Sequence, residues 1–263
     1  QGPAGARPVF MIHGAPGDTI WFKPLADQLR DLATVYGIEA QGIDGSLPFL
    51  ETIEEMAALY VRHLFAVDPV GPYRLVGYSG GGVIAIEMAQ IIQRSGREVE
   101  FLVMLDTLAP QSATPLSFKE KLKFAMRMDI KYILRWPLKA LLPLQRTLLE
   151  RWRLAVTGER KTRVEILADL CRESYMRAQG RYFPGEYSGD VLIFRASIAD
   201  ALFLRAGPML GWDHVLKGQV DVIPLEGDHL TIFGPRTLAI VIEEMRNRLV
   251  ELDAAWPPLR ETR

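Results

Sequence analysis

In the first half of the chain, short unbroken apolar runs alternate with amphipathic stretches. The runs are Val9-Phe10-Met11-Ile12, Thr34 to Ile38, Tyr73 to Gly77 and Phe101 to Leu105. Runs of this length, bounded by Gly, Pro or polar residues, read as strands, and the fully apolar ones as strands buried on both faces. The stretches between them carry helical spacing. Trp21 to Leu32 places Phe22, Leu25, Ala26 and Leu29 on one face. Thr52-Ile53-Glu54-Glu55 is a capping box, and the helix it opens runs to about Val67, where Pro69 and Gly71-Pro72 end it. A third helix is expected from Gly81 to about Gln93. Strands and helices that alternate over short connections predict right-handed βαβ units and a parallel sheet.

The alternation then breaks. From Ser117 to about Arg181 there is no strand signal, only apolar groups at helical spacing divided near Pro137, Pro143 and Gly158. It resumes with Val191 to Phe194 and Val220 to Ile223, and a last helix is expected from Pro235 to about Leu252. The fold class expected is therefore α/β: a mostly parallel central sheet flanked by helices, with an all-helical insertion at about 112–183. All 263 residues are read as one domain.

Composition narrows the function classes. Hydrophobic residues at 49% and charged residues at 24% are those of a globular enzyme-sized domain. The net charge of −1 argues against a polycation that seeks nucleic acid. The charge is uneven, however: Ser117 to Arg181 holds 16 Lys and Arg against 7 Asp and Glu, about +9, which leaves about −10 on the rest. That excess reads either as solvated helix faces or as a surface for an acidic partner. A single cysteine, Cys171, excludes an internal disulfide and fits a reducing, cytoplasmic compartment. No apolar run is long enough for a membrane span, and no signal peptide is visible. The chain opens on Gln1 rather than Met, so a piece of a longer polypeptide is expected.

The chemistry centres on Gly77-Tyr78-Ser79-Gly80-Gly81, a G-x-S-x-G between a strand and a helix. That context is what a nucleophile elbow needs: the glycines permit a sharp turn that lifts the serine hydroxyl to the positive end of the next helix. Gly80-x-Gly82-x-x-Ala85, with Asp106 about 20 residues on, also fits a relaxed dinucleotide fingerprint. That rival sits on the third strand instead of the first and leaves Ser79 without a role.

A serine needs a base. His229 lies in Glu226-Gly227-Asp228-His229-Leu230, just past a late strand, where ligands gather in open α/β sheets. His63 lies within a helix, His214 has no strand end to place it, and His13 is expected to shape the loop after the first strand. The base needs an acid. Asp106 is flush with its strand end; Asp200 is five residues past its own; Asp228 adjoins His229 and should point elsewhere. We favour Asp106. The oxyanion donors expected are the N–H of Gly80 and, in His13-Gly14-Ala15-Pro16-Gly17, that of Ala15, since Pro16 has none. No metal site is expected: there is no His-Glu-x-x-His and no second Cys.

These residues resemble the type I thioesterase domains that end nonribosomal peptide synthetases and polyketide synthases, within the α/β-hydrolase superfamily. The likeness rests on Ile12 to Gly17, Asp68 to Gly82, Ala85 to Ala89, Leu105-Asp106-Thr107 and Gly227-Asp228-His229-Leu230. It implies the α/β-hydrolase fold with the insertion as a mobile lid, and an early acid that supports Asp106 over Asp200. It further implies acyl transfer from the phosphopantetheine arm of an upstream carrier domain to Ser79, then release by hydrolysis or macrocyclisation. No cofactor, nucleic acid or membrane partner is implied. Where the family often has a bulky residue after the serine, this chain has Gly80, from which a more open site is expected. A stand-alone editing thioesterase, a carboxylesterase or lipase, and a catalytically silent binding module are the alternatives.

Overall fold

A computed structural model describes residues 2–3, 5–113, 161–197 and 206–256. Among these residues six strands form one sheet: β1 (Pro8–Ile12), β2 (Thr34–Ile38), β3 (Tyr73–Tyr78), β4 (Val99–Leu105), β5 (Val191–Ala196) and β6 (Val220–Leu225). Their order is β2-β1-β3-β4-β5-β6, and every pairing is parallel. The α-helices among the described residues are α1 (Lys23–Leu29), α2 (Ile53–Val67), α3 (Gly80–Arg94), α4 (Arg163–Gln179) and α5 (Pro235–Ala255).

Alternate residues of each strand feed two cores. Leu75, Leu102, Met104, Val191 and Ile193 pack with α2, α3 and Tyr175 of α4. Val76, Val103, Leu105, Leu192 and Phe194 pack on the other face with α1 and α5. Double-sided burial explains why the central strands read as continuous apolar runs. Outside residues 114–160 the expected elements are present, with ends shifted by a few residues. The first helix is the most altered: a 3₁₀ turn at Ile20–Phe22 precedes α1. At α2, Thr52 and Glu55 form the reciprocal capping box that the sequence shows. Of the predicted helical insertion, residues 114–160 lie outside the described residues; its last helix is α4, which opens on a second capping box at Thr162 and Glu165.

The connection after β1 leads to α1 on one face, and that after β3 to α3 on the other. Adjacent strands whose chains depart in opposite directions open a crevice at their carboxyl ends. At the far end of the same strands lies Arg74, fully buried although charged. Its Nε donates to Glu100 at 2.6 Å and its Nη2 to Asp253, while Arg7 bridges the same two carboxylates. This ties the end of α5 to β3 and β4. Arg74→Met should lower stability by about 3 kcal/mol, because Glu100 and Asp253 lose a buried countercharge. Urea unfolding checks this, with Arg74→Met/Glu100→Gln expected to recover part of the loss.

Candidate active site

Ser79 directly follows β3 and forms the N-cap of α3, with φ 54° and ψ −119°. A non-glycine residue there is strained, by about 1–3 kcal/mol. Its N–H donates to Leu105 C=O at 2.9 Å. The turn is tight because α3 presses onto the end of β1. A Cβ on Gly81 would lie 2.3 Å from Ile12 C=O and 2.4 Å from His13 C=O. Only glycine admits that approach.

His229 Nε2 lies 2.9 Å from Ser79 Oγ, and His229 Nδ1 lies 2.7 Å from Asp106 Oδ2. Asp106 is 1% exposed and sits just past β4 with φ 48°. Its N–H donates to Phe194 C=O at 2.7 Å, and its Oδ1 accepts Ala196 N–H at 2.9 Å. The carboxylate is thereby used on both oxygens, which leaves no place for a ribose in the dinucleotide reading. The Asp228 carboxylate accepts the N–H groups of Leu230 and Thr231 and closes the histidine loop. Asp200 lies outside the described residues. His63 and His214 are exposed.

Three contacts that the sequence reading did not assign hold this arrangement. The Tyr78 ring stacks on His229 with centroids 5.1 Å apart, and its hydroxyl donates to His229 C=O at 2.9 Å. Phe233 meets Tyr78 edge-on at 4.9 Å. Tyr78 adjoins Ser79 in sequence, and that adjacency was the signal available. The third is Tyr175 of α4, which overturns the expected opening at Gly80. A Cβ on Gly80 would lie 2.5 Å from the Tyr175 ring, and the Tyr175 hydroxyl donates to Gly80 C=O at 3.1 Å. The space that a larger residue would take is filled from α4.

The N–H of Gly80 opens α3, where no carbonyl of the preceding turn can meet it. The N–H of Ala15 lies in the loop after β1. Neither has a hydrogen-bond acceptor among the described residues. His13 is 1% exposed and lies between Gly14 and Tyr60: Nδ1 is 2.7 Å from Gly14 C=O, and Nε2 is 2.7 Å from Tyr60 Oη. Burial holds its imidazole down at about 4, against the upward pull of Gly14 C=O and Asp18. Among the described residues, no group of three or more His, Cys, Asp or Glu could hold a metal, and no helix is long and apolar enough to cross a membrane.

Two outcomes follow from this packing. Gly80→Ala should lower stability by about 1–3 kcal/mol through overpacking against Tyr175, and Tyr175→Ala in the same chain should relieve it. A double-mutant cycle by urea unfolding reads the coupling. The second concerns pH. The unfolded chain protonates His13 near 6.5, whereas the folded chain resists until about 4. Between these values the unfolded state binds more protons. Stability from this residue is therefore full above about 6.5 and falls as pH drops toward 4, by roughly 3 kcal/mol in all. The urea midpoint should decline across that window, and His13→Asn should flatten the decline.

A dimodular nonribosomal peptide synthase of Bacillus subtilis (strain 168) is 29% identical over 268 residues, covering 94% of this chain and 10% of that protein. The chain spans about a tenth or less of the length of such synthetases. Among solved structures, a covalent complex of the NocB thioesterase domain with a fluorophosphonate nocardicin G analog is 23% identical. It superposes with a TM-score of 0.66 over 92% of this chain and 94% of that one. The type II thioesterase BorB from the borrelidin biosynthetic cluster is 20% identical, with a TM-score of 0.66 over 94% of each chain. Both share the α/β-hydrolase fold built here around Ser79. The family model for the thioesterase domain matches residues 7–249, and the chain belongs to that family.

Proposed function

We propose that this domain is a chain-releasing thioesterase with Ser79 as nucleophile, His229 as base and Asp106 as the acid that orients it. It would take an acyl, peptidyl or polyketide chain from the phosphopantetheine arm of an upstream carrier domain. The observation that carries the reading is the continuous line of hydrogen bonds from Asp106 Oδ2 through His229 to Ser79 Oγ, at 2.7 and 2.9 Å. Membership of the thioesterase family and the match to a nonribosomal peptide synthase support the substrate class and the carrier partner.

In this mechanism Ser79 Oγ attacks the thioester carbonyl carbon while His229 Nε2 takes the hydroxyl proton. Asp106 keeps the proton of His229 on Nδ1 and stabilises the imidazolium. The carbonyl π electrons move onto oxygen, and that oxyanion meets the N–H groups of Ala15 and Gly80. Collapse breaks the C–S bond; the sulfur leaves with the proton from His229, and the chain remains as an ester on Ser79. Water, or a hydroxyl or amine of the chain itself, then attacks with His229 again as base. Ser79 Oγ leaves with that proton, and the product is the free acid or a macrocycle. Every step uses side chains and backbone of this domain. The insertion at about 112–183 is proposed as a lid that sets which nucleophile reaches the ester.

Intact-protein mass spectrometry with acyl thioesters of N-acetylcysteamine tests the assignment. The wild type should gain one acyl group, mapped to Ser79, and Ser79→Ala none. Asp106→Asn should lower kcat by about four orders of magnitude, because the imidazole then loses its oriented tautomer. Acylation at another residue, or a faster reaction with the matching oxoester than with the thioester, would remove the proposal.

A further inference from the structure

One peptide plane joins Gly14 C=O to Ala15 N–H. A trans peptide is rigid and its C=O and N–H point in opposite directions, so whatever fixes the carbonyl also aims the N–H. Two donors fix it. Gly17 N–H donates to Gly14 C=O at 3.0 Å, and His13 Nδ1 lies 2.7 Å from the same oxygen. A carbonyl only accepts, so Nδ1 must carry the ring proton. Nε2 is then an acceptor, and the group facing it is the Tyr60 hydroxyl at 2.7 Å. Tyr60 is itself buried, on α2, with its ring edge-on to the imidazole at 5.6 Å.

We propose that Tyr60 and His13 are a positioning relay that aims Ala15 N–H at the oxyanion: Tyr60 O–H fixes the His13 tautomer, and His13 Nδ1–H fixes the Gly14–Ala15 peptide. The relay rests on the functional reading above, in which Ala15 supplies one of the two donors. Its logic is geometric. An oxyanion donor works only when its N–H is aimed at the place where charge develops. The loop itself offers one internal hydrogen bond for this peptide, from Gly17. The second comes from a side chain of β1's end, and its partner from a helix 47 positions further on. A ring buried to 1% exposure is desolvated, and an apolar residue would fill the same place without that penalty. His13 does what an apolar residue cannot: it donates to one defined oxygen and accepts from one defined hydroxyl. His13 does not reach Ser79, so its effect passes entirely through Ala15 N–H.

The test uses the hexanoyl thioester of N-acetylcysteamine. His13→Leu should lower kcat by on the order of tenfold to a hundredfold, less than or equal to the loss of an entire oxyanion donor, with KM little changed. His13→Asn, whose side-chain amide can donate from near the Nδ1 position, should restore most of the rate. A trifluoromethyl ketone analogue, which forms an oxyanion on Ser79, should lose affinity by the same factor as kcat. The unreactive amide analogue should bind as before. Full activity in His13→Leu, or equal losses in oxyanion and amide analogue binding, overturns the relay. So does failure of His13→Asn to exceed His13→Leu. Should His13→Leu not fold, the wild type and Tyr60→Phe carry the test: a long-range ¹H–¹⁵N spectrum of the wild type must find the His13 proton on Nδ1, and Tyr60→Phe must weaken ketone binding without weakening amide binding. A proton on Nε2, or unchanged ketone binding, overturns it. Absence of Ser79 labelling by a fluorophosphonate in the wild type overturns the functional reading and the relay together. Labelling with an unaffected His13→Leu overturns the relay alone.

Discussion

Ser79 is held at φ 54° and ψ −119°, a conformation its own side chain resists. The chain on either side enforces it. Before it, β3 is buried along all six residues and paired on both edges, so its end cannot shift. After it, Gly81 lets α3 seat against the carbonyls of Ile12 and His13. The strain of about 1–3 kcal/mol is small beside the burial of a sheet covered on both faces. The Ser79 hydroxyl is consequently raised above the end of a strand that is buried along its length and paired on both edges.

The rest of the site follows from strand register. β4 and β5 lie in order beside β3, so the ends of three neighbouring strands lie side by side. Asp106, flush with β4, receives Ala196 N–H from the end of β5 on one oxygen and faces His229 with the other. His229 comes from the loop after β6 and is carried across by Tyr78, whose ring and hydroxyl hold the imidazole and its carbonyl. Tyr78, beside Ser79 in sequence, thus supports His229, while Ser79 itself meets His229 Nε2.

Much of this was legible because it is local. Apolar runs of strand length, the Thr52–Glu55 box and the glycines around Ser79 act over a few residues, and the elements appear where those signals stand. The placing of Asp106 beside His229 was legible because its distance from a strand end is countable; Asp200, ranked below it by the same count, lies outside the described residues. What was not legible are partners chosen by packing across the chain. His13 read as a loop-shaping residue, but nothing in the sequence joined it to Tyr60. Gly80 suggested an opening, because a missing side chain looks like empty space until Tyr175 is known to fill it. Arg74 interrupts an apolar strand, and its partners Glu100 and Asp253 are 26 and 179 positions away.

The two proposed oxyanion donors are constrained in different ways. For Ala15 the held carbonyl and the donating N–H share one peptide, so planarity transmits any rotation at Gly14 C=O directly. For Gly80 the carbonyl that Tyr175 holds belongs to the following peptide, whereas the N–H belongs to the preceding one. The two are separated by the soft dihedrals of Gly80, the residue least able to limit them through its own side chain. That side is steadied by α3 itself, through Gly82 N–H to Ser79 C=O at 3.2 Å and the seating of Gly81 on β1. Loss of a hydroxyl at 175 would therefore be absorbed by a helix that has other reasons to stay in place. Loss of the imidazole at 13 would act on a loop peptide that, among the described residues, keeps only Gly17 N–H to hold it. The donor on the loop side is the one whose aim depends on a remote side chain.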